Sequence, residues 1–251
     1  MIHQEAHDHV TVLRVEHGKV NALDLELCTE LTQKLGALED AATGAVVLTG
    51  TGGSFSAGVD LFRLLKEGKP YLNPFLPAFE EMLLALFRFP KPVVAALNGH
   101  AIAGGCILAC ACDYRLVAEG DARLGVPELL VGVPFPALPL ELLRSVVTPS
   151  ALQGLVYTGQ TVDTEAARAA GLVDEIVPPD ELPSKALARA RQLAAIPPDT
   201  FALTKRTLRQ PVLERVEQLK TEIDPQVAAV WAAPETHAVI RTYLEKTLGK
   251  K

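Results

Sequence analysis

Apolar positions along the chain fall into two spacings. Residues 10–16 alternate and are rich in valine, the period-two pattern of a strand. Leu23, Leu27, Leu31, Leu35 and Leu38 recur at helical spacing, so residues 21–38 read as a helix. Residues 46–49 and 92–97 are short unbroken apolar runs, the pattern of strands buried on both faces. Between them lie a glycine-rich loop over residues 50–60, a helix opening at Asp60, and a helix over residues 79–88 with Phe79, Met82, Leu83, Leu86 and Phe87 on one side. Residues 68–77 carry three prolines and a glycine and are expected to be irregular.

Further on, residues 114–118 and 173–177 read as strands, and residues 123–124 as a very short one. Helices are expected over residues 140–144, 150–157 and 166–170. The last follows Asp163 and Glu165 and stops at Gly171. From Asp180 onward the pattern is helical, punctuated by Pro197-Pro198, Pro225 and Pro234. The fold class is therefore α/β with a helical tail. The expected division is a core over residues 1–195 and a C-terminal helical region over residues 196–251. A weak strand–strand–helix period of about 40 residues is the one repeat discernible.

Composition narrows the function. Apolar residues make up 49% and charged residues 22%, which supports a sizeable core and argues against global disorder. The net charge of -6 argues against nucleic acid or an anionic membrane as the main partner. No basic-then-apolar leader or membrane-length apolar run is visible, so the default expectation is a soluble, cytoplasmic protein. Cys28, Cys106, Cys110 and Cys112 form no C-x-x-C pair and read as reduced, mostly buried thiols. His3, His7, His9 and His17 read as surface or disordered histidines, and no metal site is expected.

Two glycine loops and one acid carry the candidate chemistry. The loop over residues 52–60 matches neither a phosphate-cradling P-loop nor a dinucleotide fingerprint. G-x-S-x-G is absent as well, so a hydrolase nucleophile elbow is not expected. The second loop is NGHAIAGGCILA, residues 98–109. A helix starting near Ala103 or Gly104 presents free amides at its first turn. If it faces the first loop, one amide from each can hold a single oxygen. His100 reads as a packed or locally hydrogen-bonded residue. Glu128 sits between Leu124-Gly125-Val126-Pro127 and Leu129-Leu130-Val131, surroundings that raise a carboxyl pKa toward neutrality. The plainer reading is a helix-starting or surface glutamate.

Read together, five blocks resemble the crotonase superfamily, the enoyl-CoA hydratase/isomerase family. They are GGSFSAGVDL (residues 52–61), NGHAIAGGCILA, CDYR (112–115), GVPELLVG (125–132) and TGQTVDTEAARAAGLVDEIV (158–177). The resemblance implies a crotonase-like spiral of β-β-α units. It also implies a C-terminal helical region that builds trimers or dimers of trimers. The ligand it implies is an acyl-CoA thioester, with coenzyme A as part of the substrate and no tightly bound cofactor. The family oxyanion hole maps to the amides of Ala57 and Gly104. The adenine side of coenzyme A maps near residues 19–23, and the nucleotide phosphates near Lys246, Lys250 or Lys251.

Typical hydratases of that family use two glutamates. One matches Glu128; the other maps to Ile107. Hydration needs a held and activated water, so a chain with isoleucine there is expected to be a poor hydratase. A single glutamate suffices to move a double bond from position 3 to position 2 of an enoyl-CoA. Glu128 is the expected catalytic residue. The residues expected around the substrate are Lys19, Ala22, Asp60, Ile107, Pro134 and Phe135. Asp60 is also expected to cap a helix, and Glu141 to sit in a surface or salt-bridged position. The proline-rich stretch over residues 133–139 replaces a glycine-rich one, so the acyl pocket is expected to differ from that of a short-chain hydratase. The alternatives are weak hydration or other thioester chemistry, and non-catalytic acyl-CoA binding.

Overall fold

A computed structural model describes residues 1–248. The chain opens with strands β1 (Ile2–His7) and β2 (Val10–Val15), helix α1 (Leu25–Glu39), and strands β3 (Ala45–Thr49) and β4 (Ser54–Ser56). Helices α2 (Leu61–Glu67) and α3 (Lys69–Arg88) follow, then β5 (Val93–Leu97), β6 (His100–Ile102) and α4 (Gly104–Cys110). Next come β7 (Tyr114–Ala118), β8 (Leu124–Gly125), α5 (Glu128–Val131), α6 (Ala137–Val146) and α7 (Pro149–Thr158). The chain continues through β9 (Thr161–Val162), α8 (Thr164–Ala170), β10 (Glu175–Val177) and α9 (Leu182–Ala194). It ends with α10 (Pro198–Trp231) and α11 (Pro234–Leu248).

The strands form two sheets. The larger has the order β1-β2-β3-β5-β7-β10 and the smaller β4-β6-β8-β9. From β2 to β10 the larger sheet is parallel, and β4, β6 and β8 run parallel in the smaller one. The chain thus lays one strand in each sheet and then a helix, and repeats the step, which is the expected β-β-α spiral. The unbroken apolar runs follow from burial on both faces. Val46 and Leu48 face the large core with α1, α3 and α4. Ala45 and Val47 face a second core with Leu182, Ala186 and Ala190 of α9.

Two local expectations fail. Residues 69–77 are helical: α3 starts at Lys69 and carries Pro74 and Pro77 inside it. Each internal proline costs about 3 kcal/mol. Tyr71, Leu72, Phe75 and Phe79 are buried on this helix, and Tyr71, Phe75 and Phe79 stack at 5.3 and 5.9 Å. Burying each such side chain contributes roughly 1.5–3 kcal/mol, so tertiary packing outweighs the backbone penalty. Pro225 separates nothing, because α10 runs through Pro211 and Pro225. The N-terminal histidines lie at the surface, as expected, His3 and His7 on the ordered edge strand β1, where His3 pairs with Glu16 at 2.7 Å.

The expected division after residue 195 falls at the turn between α9 and α10. Helix α10 then returns to the core through Val216, Val227 and Trp231, and α11 through Ile240. It is pinned by Asp113, which accepts from Lys205 at 2.7 Å and Arg209 at 2.8 Å. Among the described residues, no helix is long and apolar enough to cross a membrane. Nor, among them, is any group of three or more His, Cys, Asp or Glu placed to hold a metal ion.

Candidate active site

Two backbone segments meet behind β4 and β6. Residues 57–60 run beside residues 20–23: the Ala57 amide donates to Val20 O at 3.0 Å, Leu23 N to Gly58 O at 2.8 Å, and Asp60 N to Leu23 O at 3.0 Å. Buried Asn21 fixes this seam by donating its side-chain amide to Ser54 O at 2.9 Å. Gly58 has φ 84°, a conformation that strains any residue with a Cβ, and it reverses the alternation of the strand. Gly58 O and Asp60 N face Leu23, so the amide of Val59 between them points the opposite way. It has no hydrogen-bond partner among the described residues.

Helix α4 begins on that opposite side. The first-turn amides of Gly104 and Gly105 also lack partners among the described residues. A Cβ built on Gly58 would lie 3.1 Å from Gly104 N, so the two segments are in contact. The approach depends on Gly105 too, where a Cβ would meet Ser56 O at 2.2 Å. Val59 and Gly104 line one cavity. The expected donor pair is therefore corrected in one member. Ala57 lines the cavity, but its N–H is already bonded to Val20, and the unengaged amide beside Gly104 belongs to Val59.

Glu128 is the one carboxylate lining this cavity among the described residues. It opens α5, is only 8% exposed, and its Oε2 has no hydrogen-bond partner among the described residues. Burial pushes its pKa up to about 8; a bond to its own backbone amide opposes the shift. Ile107, 1% exposed, lines the same cavity from α4. The remaining walls are apolar: Phe75, Leu76 and Phe79 of α3, Phe135, Pro136 and Pro139 before and within α6, Trp231 of α10 and Tyr243 of α11.

The other expected residues divide. Phe135 lines the cavity, whereas Pro134 does not; its carbonyl accepts from Trp231 Nε1 at 3.1 Å and so holds the wall from behind. Asp60 stands outside the lining and caps α2 by accepting from Arg63 N at 3.0 Å. Lys19 is exposed and Ala22 half-buried on the segment bonded to residues 57–60, beside the cavity rather than in it. His100 is locally bonded, accepting from Arg123 N at 3.0 Å. Glu141 is 2% exposed and paired with Arg144 at 3.1 Å and Arg215 at 2.9 Å, away from the cavity. All four cysteines are buried and free, and burial pushes Cys28 and Cys112 up to about 12. Lys246 is exposed on α11, while Lys250 and Lys251 lie outside the described residues.

The sequence model of the enoyl-CoA hydratase/isomerase family matches residues 5–248. The chain belongs to this family. Enoyl-CoA delta isomerase 1, mitochondrial, of Rattus norvegicus is 29% identical over 255 residues, covering 100% of this chain and 88% of that protein. A putative enoyl-CoA hydratase of Thermus thermophilus is 38% identical over 192 residues, covering 75% of each. Among solved structures, human mitochondrial delta3-delta2-enoyl-CoA isomerase superposes with a TM-score of 0.93 at 28% identity, covering 100% of this chain and 99% of that one. The protein is thus an enzyme of the enoyl-CoA hydratase/isomerase family, with the α/β spiral of its structural neighbours.

Within that family frame, sequence reasoning missed Val59 and most of the apolar wall. Val59 carries no polar side chain, and its contribution is a backbone direction set by Gly58. Phe75 and Leu76 lay in a stretch read as irregular, and Trp231 and Tyr243 themselves lie more than a hundred residues after the glycine loops.

Proposed function

We propose that this enzyme isomerises 3-enoyl-CoA thioesters to 2-enoyl-CoA by proton transfer through Glu128 alone. The thioester oxygen accepts from the amides of Val59 and Gly104. The Glu128 carboxylate removes a proton from C2, and the electron pair left there forms a double bond to C1 as the carbonyl pair moves onto that oxygen, giving a dienolate conjugated with the C3–C4 double bond. The resulting carboxylic acid returns the proton to C4, leaving a double bond between C2 and C3. One group serves as base and then acid, so no net proton is consumed. Two aligned amides stabilise the developing negative charge, and such donors are worth roughly 3–4 kcal/mol each when removed.

The observation carrying this reading is the unpaired, buried Glu128 in a cavity that Ile107 also lines. Isoleucine offers no oxygen to hold a water where a second acid would be needed for hydration. A carboxyl raised to about 8 exchanges protons at little cost near neutral pH. A module that only binds thioesters has no use for an uncompensated buried acid. In this reading the adenine side of coenzyme A lies near residues 19–23, supported by the backbone bonds that join this segment to the one carrying the Val59 amide. Self-association as a trimer or dimer of trimers belongs to the same reading, supported by the exposed apolar side chains Leu203 and Leu208 on α10.

The test offers purified protein a 3-enoyl-CoA and a 2-enoyl-CoA and follows both products, with wild type and Glu128→Gln. Isomerisation by the wild type, reduced about 10²–10⁴-fold in the variant, supports the mechanism. Isomerisation unchanged by the substitution overturns it, and binding of thioesters without turnover overturns the enzymatic reading for this substrate.

A further inference from the structure

The Val59 amide is aimed by its own peptide unit. Gly58 O and Val59 N–H belong to one planar trans peptide and point in opposite directions. Leu23 N donates to Gly58 O at 2.8 Å and so fixes that unit. The preceding unit needs a tie of its own, because Gly58 has φ 84° and no Cβ to restrict its torsions. Ser56 supplies it: the Gly58 amide donates to Ser56 Oγ at 3.2 Å. Ser56 is 2% exposed, so bulk water does not compete for that bond.

The same residue lies under the other arm of the amide pair. Ser56 of β4 pairs with Ala101 of β6, the strand that leads into α4. A Cβ built on Gly105 would lie 2.2 Å from Ser56 O and 2.8 Å from Ser56 Cβ, so the first turn of α4 rests directly on Ser56. That turn is also tied to β8, where Ala103 N donates to Gly125 O at 2.8 Å. A Cβ on Gly58 would lie 2.9 Å from Ala103 Cβ and 3.1 Å from Gly104 N. The two arms therefore meet without slack, and Ser56 touches both of them.

We propose that Ser56 is a positioning residue for the thioester oxygen: its hydroxyl sets the direction of the Val59 amide, and its backbone sets how closely α4 brings the Gly104 amide. The inference rests on the assignment of that amide pair to the thioester oxygen. Ser56→Ala leaves the Gly58 N–H a buried donor without a partner, at a residue free to rotate in search of one. Rotation there turns the next peptide unit, which carries the Val59 amide. Donors of this kind act only when they are held on the position of the developing charge.

The experiment compares wild type with Ser56→Ala in three measurements. The first is the infrared carbonyl stretch of bound hexanoyl-CoA, isotope-labelled at the carbonyl carbon; two amide donors lower it relative to water. In the variant it is expected to move back toward its value in water. The second is calorimetric affinity for hexanoyl-CoA and for S-hexyl-CoA, the thioether that lacks the carbonyl oxygen. The variant is expected to lose affinity for the thioester and keep it for the thioether. The third is turnover of 3-hexenoyl-CoA, where kcat is expected to fall roughly 10–10²-fold and KM to change less. Ser56→Cys, which keeps a weak acceptor, is expected to fall between the two and serves if the alanine variant does not fold. An unchanged carbonyl stretch in the variant overturns the proposal, as does equal weakening of thioester and thioether, the mark of a merely structural residue. A wild type that lowers the stretch but isomerises nothing removes the reaction assigned above, while the variant spectra still decide the role of Ser56. A wild type that leaves the stretch at its value in water removes the amide pair and this role together.

Discussion

Glu128 stores destabilisation that can be measured without any substrate. Its carboxyl is held at about 8 against an ordinary 4.5 because burial penalises the charged form. At 1.36 kcal/mol per pKa unit the full effect is about 5 kcal/mol. The sign follows from proton counting. Between 4.5 and about 8 the unfolded chain carries an ionised glutamate while the folded protein keeps it protonated. The unfolded state then binds fewer protons, so stability falls as pH rises. The stability of the protonated form is fully present below 4.5 and has been lost once pH has passed about 8. Glu128→Gln has no such group. Denaturant unfolding of wild type and variant, from mildly acidic to mildly alkaline buffer, cancels every other titrating residue in the difference. The variant's advantage is expected to grow by about 1.4 kcal/mol per pH unit and level off above about 8. A difference that stays flat through neutral pH refutes the buried, unpaired acid on which the mechanism depends. The same ionisation sets catalysis: at pH 7 about a tenth of the enzyme carries the base form, so kcat/KM is expected to rise through neutrality and plateau near pH 9.

Other substitutions test the remaining parts. Ile107→Glu places a second carboxyl on the cavity wall and is expected to raise hydration of 2-enoyl-CoA; product analysis showing no gain identifies the Phe135–Pro136–Pro139 wall as a second barrier to water. Gly105→Ala drives a Cβ against Ser56 O at a built distance of 2.2 Å and is expected to lower both thermal midpoint and isomerase rate. The control Gly36→Ala, in α1 with nothing within 4 Å of the new atom, is expected to stabilise by about 1 kcal/mol in urea unfolding. Asp113→Asn leaves Lys205 and Arg209 without their shared carboxylate, and a loss of about 3–5 kcal/mol is expected in the same measurement.

Where the hydrophobic pattern reports local burial, the fold is legible in it. The runs at residues 46–49 and 92–97 are strands because their side chains alternate between two cores, and unbroken apolar sequence is what that requires. Residues 68–77 mislead because the prolines act locally, while the aromatic ladder that overrules them closes only in the folded chain. Gly58, Gly104 and Glu128 are legible as motif positions. Val59 is not: which amide is left unengaged depends on the hydrogen bonds of residues 20–23, segments whose pairing no spacing rule states.

Two glutamates in apolar surroundings show what separates a structural acid from a chemical one. Glu128 and Glu141 are both buried, and each is followed by leucine in the chain. Glu141 is met by two guanidinium groups, from Arg144 and from Arg215 on α10, so its charge is compensated. Glu128 has no ion-pair partner and one oxygen without any hydrogen bond among the described residues, yet it opens onto a cavity with two unengaged amides. Burial alone does not mark a site, since both residues satisfy it. The mark is burial without compensation beside an unengaged donor pair, an arrangement that destabilises the fold and becomes useful only when a substrate brings an acceptor oxygen for the amides and a proton for the acid.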